Sequence, residues 1–176
     1  MARKVFVSGC FDMLHSGHVA FFRDAARYGD VYVALGSDRT IYTLKERPTV
    51  NDEQERLFMV KSVRWVKDAF ISRGSGLLDF EAELGEMQPE YFVVNADGDA
   101  PEKRKLCQTL GIEYVVLERK PFEGLAERST TALRGHNYLP YRIDLAGGWL
   151  DQPYVSQFYP GAVVTISLEP THDFNE

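Results

Sequence analysis

Two of the four histidines in this 176-residue chain, His15 and His18, lie three residues apart, with Gly17 between them. Side chains at this spacing share one face of a helix, so both imidazole rings can contact the same ligand. Imidazole N–H groups donate hydrogen bonds to phosphoryl oxygens, and a glycine lets a phosphate come close to the backbone. The chemistry that the pair can perform is phosphate binding and stabilisation of charge that builds up on phosphoryl oxygens.

Two other readings of the histidine pair are a metal half-site and a chance pairing on a helix surface. The nearest acidic side chain is Asp12, and no third ligand stands at a spacing typical of a metal site. The neighbouring segments favour phosphate. "KVFVSG" is short, apolar and ended by Gly9, as a buried parallel strand would be, and the residues from Ser16 onward have the period of a helix. Free backbone N–H groups and the positive end of the helix dipole meet at such a junction.

The rest of the chain alternates between apolar strands and helical segments. "DVYVALG", "VKDAFIS", "PEYFVVN" and "IEYVVLE" are predicted strands, with helices between them. This order predicts an α/β fold, a Rossmann-like doubly wound parallel sheet of about five strands. Ligands of such sheets bind beyond the carboxyl ends of the strands, where the histidines lie. Composition changes after residue 136, which predicts a domain over 1–136 and an extension over 137–176 with the strands "YRIDLAG" and "GAVVTISLE".

Composition narrows the functional classes. The net charge of −6 argues against diffuse binding to nucleic acid or to an anionic membrane, and no apolar run is long enough to span a bilayer. Cys10 and Cys107 have neither metal-site spacing nor disulfide-rich density, so we expect a reducing cytoplasm. No G-x-G-x-x-G follows the first strand, which disfavours a nicotinamide-dependent oxidoreductase.

The stretch "GCFDMLHSGHVAFFRDAARYGDVYVALGSD" resembles the cytidylyltransferase-like nucleotidyltransferases, whose mark is HxGH. The resemblance continues through "LKERPTVNDEQERLFMVKSVRWVKD" and "YFVVNADGD" and ends near "ERSTTALRG". It implies transfer of CMP or AMP from CTP or ATP to a phosphorylated sugar or polyol, with release of pyrophosphate. Two alternatives are an adenylyltransferase that acts on a vitamin or cofactor phosphate, and a nucleotide-binding domain without turnover.

The resemblance also assigns site residues and a metal. It implies that Mg²⁺ binds to the triphosphate oxygens of CTP or ATP. It also implies that Asp12 organises the loop between the first strand and the first helix, and Asp12 is the acidic candidate for a contact with the metal. The implied catalytic residues are His15, His18, Lys45 and Arg56. The implied nucleotide-binding residues are Gly9, Cys10, Phe11, Asp12, Gly17, Asp97, Asp99, Ser129, Thr130 and Thr131.

Some of these residues also have plain structural readings. Asp97 and Asp99 can form an Asx-rich turn, and Ser129 to Thr131 can cap a helix. Arg47 and Arg119 are implied substrate contacts that can equally be solvated loop residues. Trp65 is a third implied substrate contact that can equally be core. In the family, a glycine and an isoleucine precede the serine, whereas this chain has Glu127 and Arg128 there. This difference leaves open whether the nucleotide is CTP or ATP.

The tail resembles the beginning of sugar kinases of the galactokinase–homoserine kinase–mevalonate kinase superfamily. Arg142, Gly147, Gly148 and Asp151 match their early strand and loop, and the superfamily's glycine-rich ATP loop is not present. The resemblance implies a parent protein in which a nucleotidyltransferase is fused to a kinase. Relatives of the first domain are often dimers, so a homodimer is the expectation.

Overall fold

The computed structural model describes residues 3–136, 141–146 and 164–168, with side chains placed through Arg134. The chain divides into two compact units, Met1–Thr130 and Thr131–Glu176. Each is described by itself, and the predicted domain boundary after residue 136 stays a prediction.

The first unit is built on a five-stranded, all-parallel sheet with the order β3-β2-β1-β4-β5. β1 pairs with both β2 and β4, so the strand order reverses at β1, and a crevice for a ligand opens there beyond the carboxyl ends. The predicted doubly wound fold is confirmed. The strands are β1 Lys4–Gly9, β2 Asp30–Leu35, β3 Val66–Ile71, β4 Tyr91–Asn95 and β5 Glu113–Leu117.

Helices cover both faces of the sheet because alternate strand residues point to opposite sides. Val5 and Val7 of β1 pack in one core with α1 and α3, whereas Phe6 between them packs in the other core with α4 and α5. The helices of this unit are α1 Ser16–Ala25, α2 Asp38–Lys45, α3 Glu53–Lys61, α4 Glu81–Met87 and α5 Pro101–Leu110, with a 3₁₀ turn at Ala96–Gly98. A further helix, α6 Thr130–His136, starts at the last residue of the unit and belongs otherwise to the second unit.

Two details differ from the sequence prediction. Helix α2 was not predicted, because it spans only eight residues and buries just Thr40 and Ile41; its one signal is the cap, in which Ser37 Oγ accepts from Thr40 N. Helix α1 ends at Ala25, before the predicted end at Gly29. Gly29 serves a different purpose, since a Cβ there would lie 2.2 Å from the Arg3 carbonyl oxygen.

In the second unit, β6 Tyr141–Ala146 pairs antiparallel with β7 Val164–Leu168, which confirms the two predicted strands. Gly147, Gly148 and Asp151 lie outside the described residues, so the kinase resemblance stays a prediction. Within the parts of the chain that the structure describes, no helix has the length and apolarity to cross a bilayer. Cys10 and Cys107 are free thiols.

Candidate active site

The two histidines form the amino-terminal cap of α1. His15 is the N-cap residue, and its Nδ1 accepts a hydrogen bond from Gly17 N at 3.1 Å. In return, the backbone N–H of His15 donates to His18 Nδ1 at 3.4 Å. This is a capping box in which imidazoles replace the usual hydroxyl and carboxyl groups. The rings stack with their centroids 3.8 Å apart, so the cap fixes both side chains at the carboxyl end of β1.

The capping bonds also determine where the imidazole protons lie. Both Nδ1 atoms accept, so each neutral ring carries its proton on Nε2. Burial lowers the pKa of His18 to about 3, and the charges of His15, Arg119 and Lys45 add to the effect. Burial also lowers the pKa of His15, with Arg119 and Arg128 contributing. His15 Nε2 is buried and has no hydrogen-bond partner in the described part of the protein, as expected of a donor that awaits a ligand.

The loop between β1 and α1 packs against the His18 ring. Phe11 is buried with φ at 51°, and its ring meets the His18 ring edge-on with centroids 5.4 Å apart. A Cβ on Gly9 would lie 2.8 Å from this phenyl ring, and a Cβ on Gly17 would lie 3.0 Å from the His15 ring and 3.3 Å from the Arg128 carbonyl oxygen. Both glycines therefore make room for protein groups, and their predicted contacts with nucleotide stay predictions.

Asp12 joins the β1–α1 loop to the segment before α3, and its predicted roles toward nucleotide and metal stay predictions. Its Oδ1 accepts from the backbone N–H groups of Val50 and Asn51, both at 3.1 Å, which fixes the segment that leads into α3. Thr130 Oγ1 donates to the Asp12 carbonyl oxygen at 3.1 Å. Thr130 therefore contacts the β1–α1 loop, whereas Ser129 precedes α6 and Thr131 is exposed.

Arg56 is fully buried and joins four segments at the carboxyl edge of the sheet. Its guanidinium donates to the carbonyl oxygens of Cys10 at 2.6 Å, Gly36 at 2.9 Å and Asn51 at 3.2 Å, and to Asp38 Oδ1 at 2.8 Å. These bonds tie the ends of β1 and β2 to α2 and α3. The structure thus gives Arg56 a positioning role, and its predicted contact with a ligand stays a prediction.

The other predicted basic and aromatic residues are divided between the two edges of the sheet. Lys45 is the exposed last residue of α2, close enough to His18 to lower its pKa. Arg47 is half-buried between α2 and α3. Trp65 precedes β3 and packs against the core at the amino ends of the strands, the edge opposite the histidines. The structure favours the core reading for Trp65.

The residues that follow β4 and β5 lie at the same carboxyl edge of the sheet as the histidines and line one side of a pocket. Asp97 Oδ2 accepts from Arg119 at 3.3 Å, and Asp99 forms a bidentate pair with Arg104 at 2.9 and 2.6 Å. A pocket opens beside Arg119, between α1 and the ends of these two strands. It is also lined by Asn95 and Lys120, and by four residues that the sequence prediction missed, Phe21, Asp24, Leu117 and Glu118. The signal for Leu117 was its position at the end of β5.

The low pKa of His18 predicts that the free energy of unfolding depends on pH. The unfolded chain takes up a proton on this histidine below pH 6.5, whereas the folded chain does not until about pH 3, so stability is lost as pH falls through this window. At pH 5 the loss from His18 is about 2 kcal/mol. Urea unfolding at pH 7.5 and 5.0 should show that His18→Asn loses about 2 kcal/mol less than the native protein. An equal loss in both proteins would contradict a neutral, buried His18.

Comparison with known proteins decides the family. Residues 6–142 match the family described as cytidylyltransferase-like. The chain belongs to this family. Among the relatives of this chain, the FAD synthase of Aciduliprofundum boonei is 32% identical over 122 residues, which are 68% of this chain and 79% of the relative. The FAD synthase of Methanopyrus kandleri is 31% identical over 129 residues, which are 70% of this chain and 83% of the relative. The family and these relatives support a nucleotidyltransferase.

Two solved structures share the fold of this cytidylyltransferase-like chain. The lipopolysaccharide core biosynthesis protein of Thermoplasma volcanium superposes with a TM-score of 0.58 at 21% identity, covering 70% of this chain and 100% of that one. The pantoate-beta-alanine ligase of Francisella tularensis superposes with a TM-score of 0.50 at 15% identity, covering 77% of this chain and 69% of that one. At these identities the likeness shows the fold alone.

Proposed function

We propose that this protein transfers AMP from ATP to FMN, forming FAD and releasing pyrophosphate. The observation that carries the proposal is the match to FAD synthases, at 32% and 31% identity over 79% and 83% of their lengths. Of the readings that the sequence left open, these relatives support the cofactor phosphate as acceptor and give no support to a sugar or polyol phosphate. They also favour ATP over CTP.

The reaction needs charge stabilisation more than proton transfer. An oxygen of the FMN phosphate forms a bond to the α-phosphorus of ATP, and the bond from that phosphorus to the bridging oxygen breaks, so that pyrophosphate leaves with the electron pair. The attacking oxygen is already anionic at neutral pH. Donors that are held in place and face the oxygens where charge grows are therefore the main contribution that the protein can make.

The geometry of the two histidines supplies such donors. Each ring is neutral and presents Nε2–H at the amino end of α1, where the helix dipole also favours an anion. In the proposed complex these N–H groups donate to triphosphate oxygens, and the Lys45 ammonium adds positive charge close to His18. Because the capping bonds hold the rings in place before ATP arrives, little reorganisation is needed during the reaction.

Mg²⁺ enters with the substrate in this proposal. Among the described residues, no three His, Cys, Asp or Glu side chains come together in a way that could hold a metal ion. Mg²⁺ commonly binds to nucleotide phosphates with few protein ligands, so MgATP is the expected substrate. When bound there, the ion neutralises charge on the triphosphate.

A pyrophosphate-release assay tests the proposal. ATP, CTP, GTP and UTP are each combined with FMN, glycerol 3-phosphate and a set of sugar phosphates. We expect release with ATP and FMN, with one FAD formed for each pyrophosphate. Release with CTP and a sugar or polyol phosphate would instead support the first reading of the resemblance. No release in any combination, with nucleotide binding intact, would show a binding domain without turnover.

A further inference from the structure

The inner face of α2 is uncovered at the end of the helix. Because residues three and four apart share a helix face, Leu44 lies on the same face as Thr40 and Ile41. Lys45, four residues after Ile41, shares it too. Thr40 and Ile41 are buried, whereas Leu44 is 50% exposed and Lys45 is also exposed. The face that packs on the protein in the first turns of α2 is therefore accessible in its last turn.

This accessible face is next to the histidine cap. The Lys45 ammonium is close enough to His18 to lower its pKa. After Lys45 the chain reverses at Glu46, where φ is 52°. Thr49 then returns to the start of the helix, since its Oγ1 donates to Asp38 Oδ1 at 2.9 Å. The segment after α2 is thus folded back along the helix, on the side of the crevice that lies beyond β2.

Val50 adds a second accessible apolar side chain at this place. It is 57% exposed, although its backbone N–H donates to both carboxylate oxygens of Asp12 at 3.1 Å. Asn51 is held from two sides, because its N–H donates to Asp12 Oδ1 and its carbonyl oxygen accepts from Arg56 Nε at 3.2 Å. The position of Val50 relative to the β1–α1 loop is therefore fixed before a ligand binds. We call Leu44 and Val50 the apolar rim.

The two sides of the histidine cap differ in chemistry. Single exposed apolar residues are ordinary on protein surfaces, so it is the place of the apolar rim that is informative. The pocket on the other side of β1 is lined by the charged side chains of Asp24, Glu118, Arg119 and Lys120. An apolar ring loses less by leaving water for the rim than for this charged pocket, because burial of charged groups without partners is unfavourable.

We propose that the apolar rim binds the flat ring system of the acceptor and favours an acceptor with such a ring over a polyol phosphate without one. The proposal rests on the proposed function, in which the acceptor is FMN. Its reacting phosphate then lies at the histidine cap, and the ribityl chain extends from there to the ring. The dimethylated edge of the ring covers apolar surface of Leu44 and Val50 that is otherwise exposed to water, which favours binding.

The test compares FMN with ribitol 5-phosphate, which has the same chain and phosphate but no ring. We expect the native protein to prefer FMN by about 100-fold or more in kcat/KM. Leu44→Gln, which keeps size and helix propensity, should reduce this preference about 10-fold, and the isosteric Val50→Thr about 3-fold, with KM for ATP unchanged. Leu110→Gln is the matched control, because Leu110 is 41% exposed in the last turn of α5, at the opposite edge of the sheet.

Fluorescence titration of FMN gives a second readout that does not depend on turnover. The Kd for FMN should rise about 10-fold in Leu44→Gln and stay unchanged in Leu110→Gln. Melting temperatures should stay within about 2 °C of the native value, because both positions are at the surface. A higher KM for ATP in Leu44→Gln, with an unchanged Kd for FMN, would show that the rim contacts the nucleotide and would overturn the proposal.

The same measurements distinguish this inference from the proposed function. If the native protein makes FAD and the rim variants keep its Kd for FMN and its preference over ribitol 5-phosphate, the apolar rim is wrong and the function stands. If the native protein binds FMN but makes no FAD, the proposed function is wrong, and a 10-fold rise of Kd in Leu44→Gln would still support the rim. If it does not bind FMN, both are wrong.

Discussion

Replacement of His15 or His18 by asparagine is expected to lower turnover about 100- to 1,000-fold for each histidine, the usual effect of removing one placed donor. The asparagine side-chain oxygen can take the place of Nδ1 and keep the capping bond, but nothing takes the place of Nε2–H. Asparagine is also a favourable N-cap residue. The melting temperature should therefore change little, and the loss should appear in kcat for FAD formation.

Glutamine provides the matched control for these variants. Its longer side chain can place an N–H donor near the position of Nε2 but leaves no acceptor at Nδ1. At the N-cap position, His15→Gln should thus retain more turnover than His15→Asn and lose about 1 kcal/mol of stability with the cap. Both quantities are measured on the same samples, by steady-state kinetics and by thermal unfolding. Equal turnover in the asparagine and glutamine variants would contradict the role of the Nε2–H groups.

Replacement of Arg56 by methionine is expected to lower the free energy of unfolding by about 3–5 kcal/mol. The guanidinium is fully buried, and its removal leaves the carbonyl oxygens of Cys10 and Gly36 and the carboxylate of Asp38 without their donor. Arg56→Lys should recover only part of the loss, because a single ammonium group cannot reach all of the acceptors that surround the planar guanidinium. For a chain of this size the melting temperature should fall by about 6–20 °C.

Urea unfolding of Arg56→Met measures this loss, with Arg27→Met as the control. Arg27 is 74% exposed and pairs with Asp24 at 3.5 Å, so its replacement should change stability by less than about 0.5 kcal/mol. If Arg56→Met unfolded like the native protein and lost only turnover, Arg56 would be a direct ligand contact, as the family resemblance implied, and the positioning role would be wrong.

The parallel sheet could be predicted because its signals are local. β1 is an apolar run closed by glycine, and α5 has Pro101 at its first position and Gly111 just past its end with φ at 70°. The histidine pair lay at a predicted strand-to-helix junction, so its place at the carboxyl edge followed from the fold class. Helix α2 was missed because its cap is a single serine and it has no long apolar face.

The role of Arg56 depends on contacts between distant segments. Arg56 meets Cys10 across 46 residues of sequence, so no local pattern indicates that its side chain is buried. A charged residue within a polar segment is usually exposed, and that expectation fails at Arg56. The motifs that carry the family resemblance do not identify the acceptor, which is why the resemblance alone led first to a sugar or polyol phosphate.

Isotope transfer tests the central claim, adenylyl transfer to FMN, most directly. The native protein is incubated with Mg²⁺ and FMN, and with ATP labelled with ³²P either at the α- or at the γ-phosphate. The account predicts that the α-label appears in FAD and that the γ-label appears only in pyrophosphate. A γ-label in a flavin product would show phosphoryl transfer, and ATP that binds but leaves no label in FAD would show that FMN is not the acceptor; either result would contradict the account.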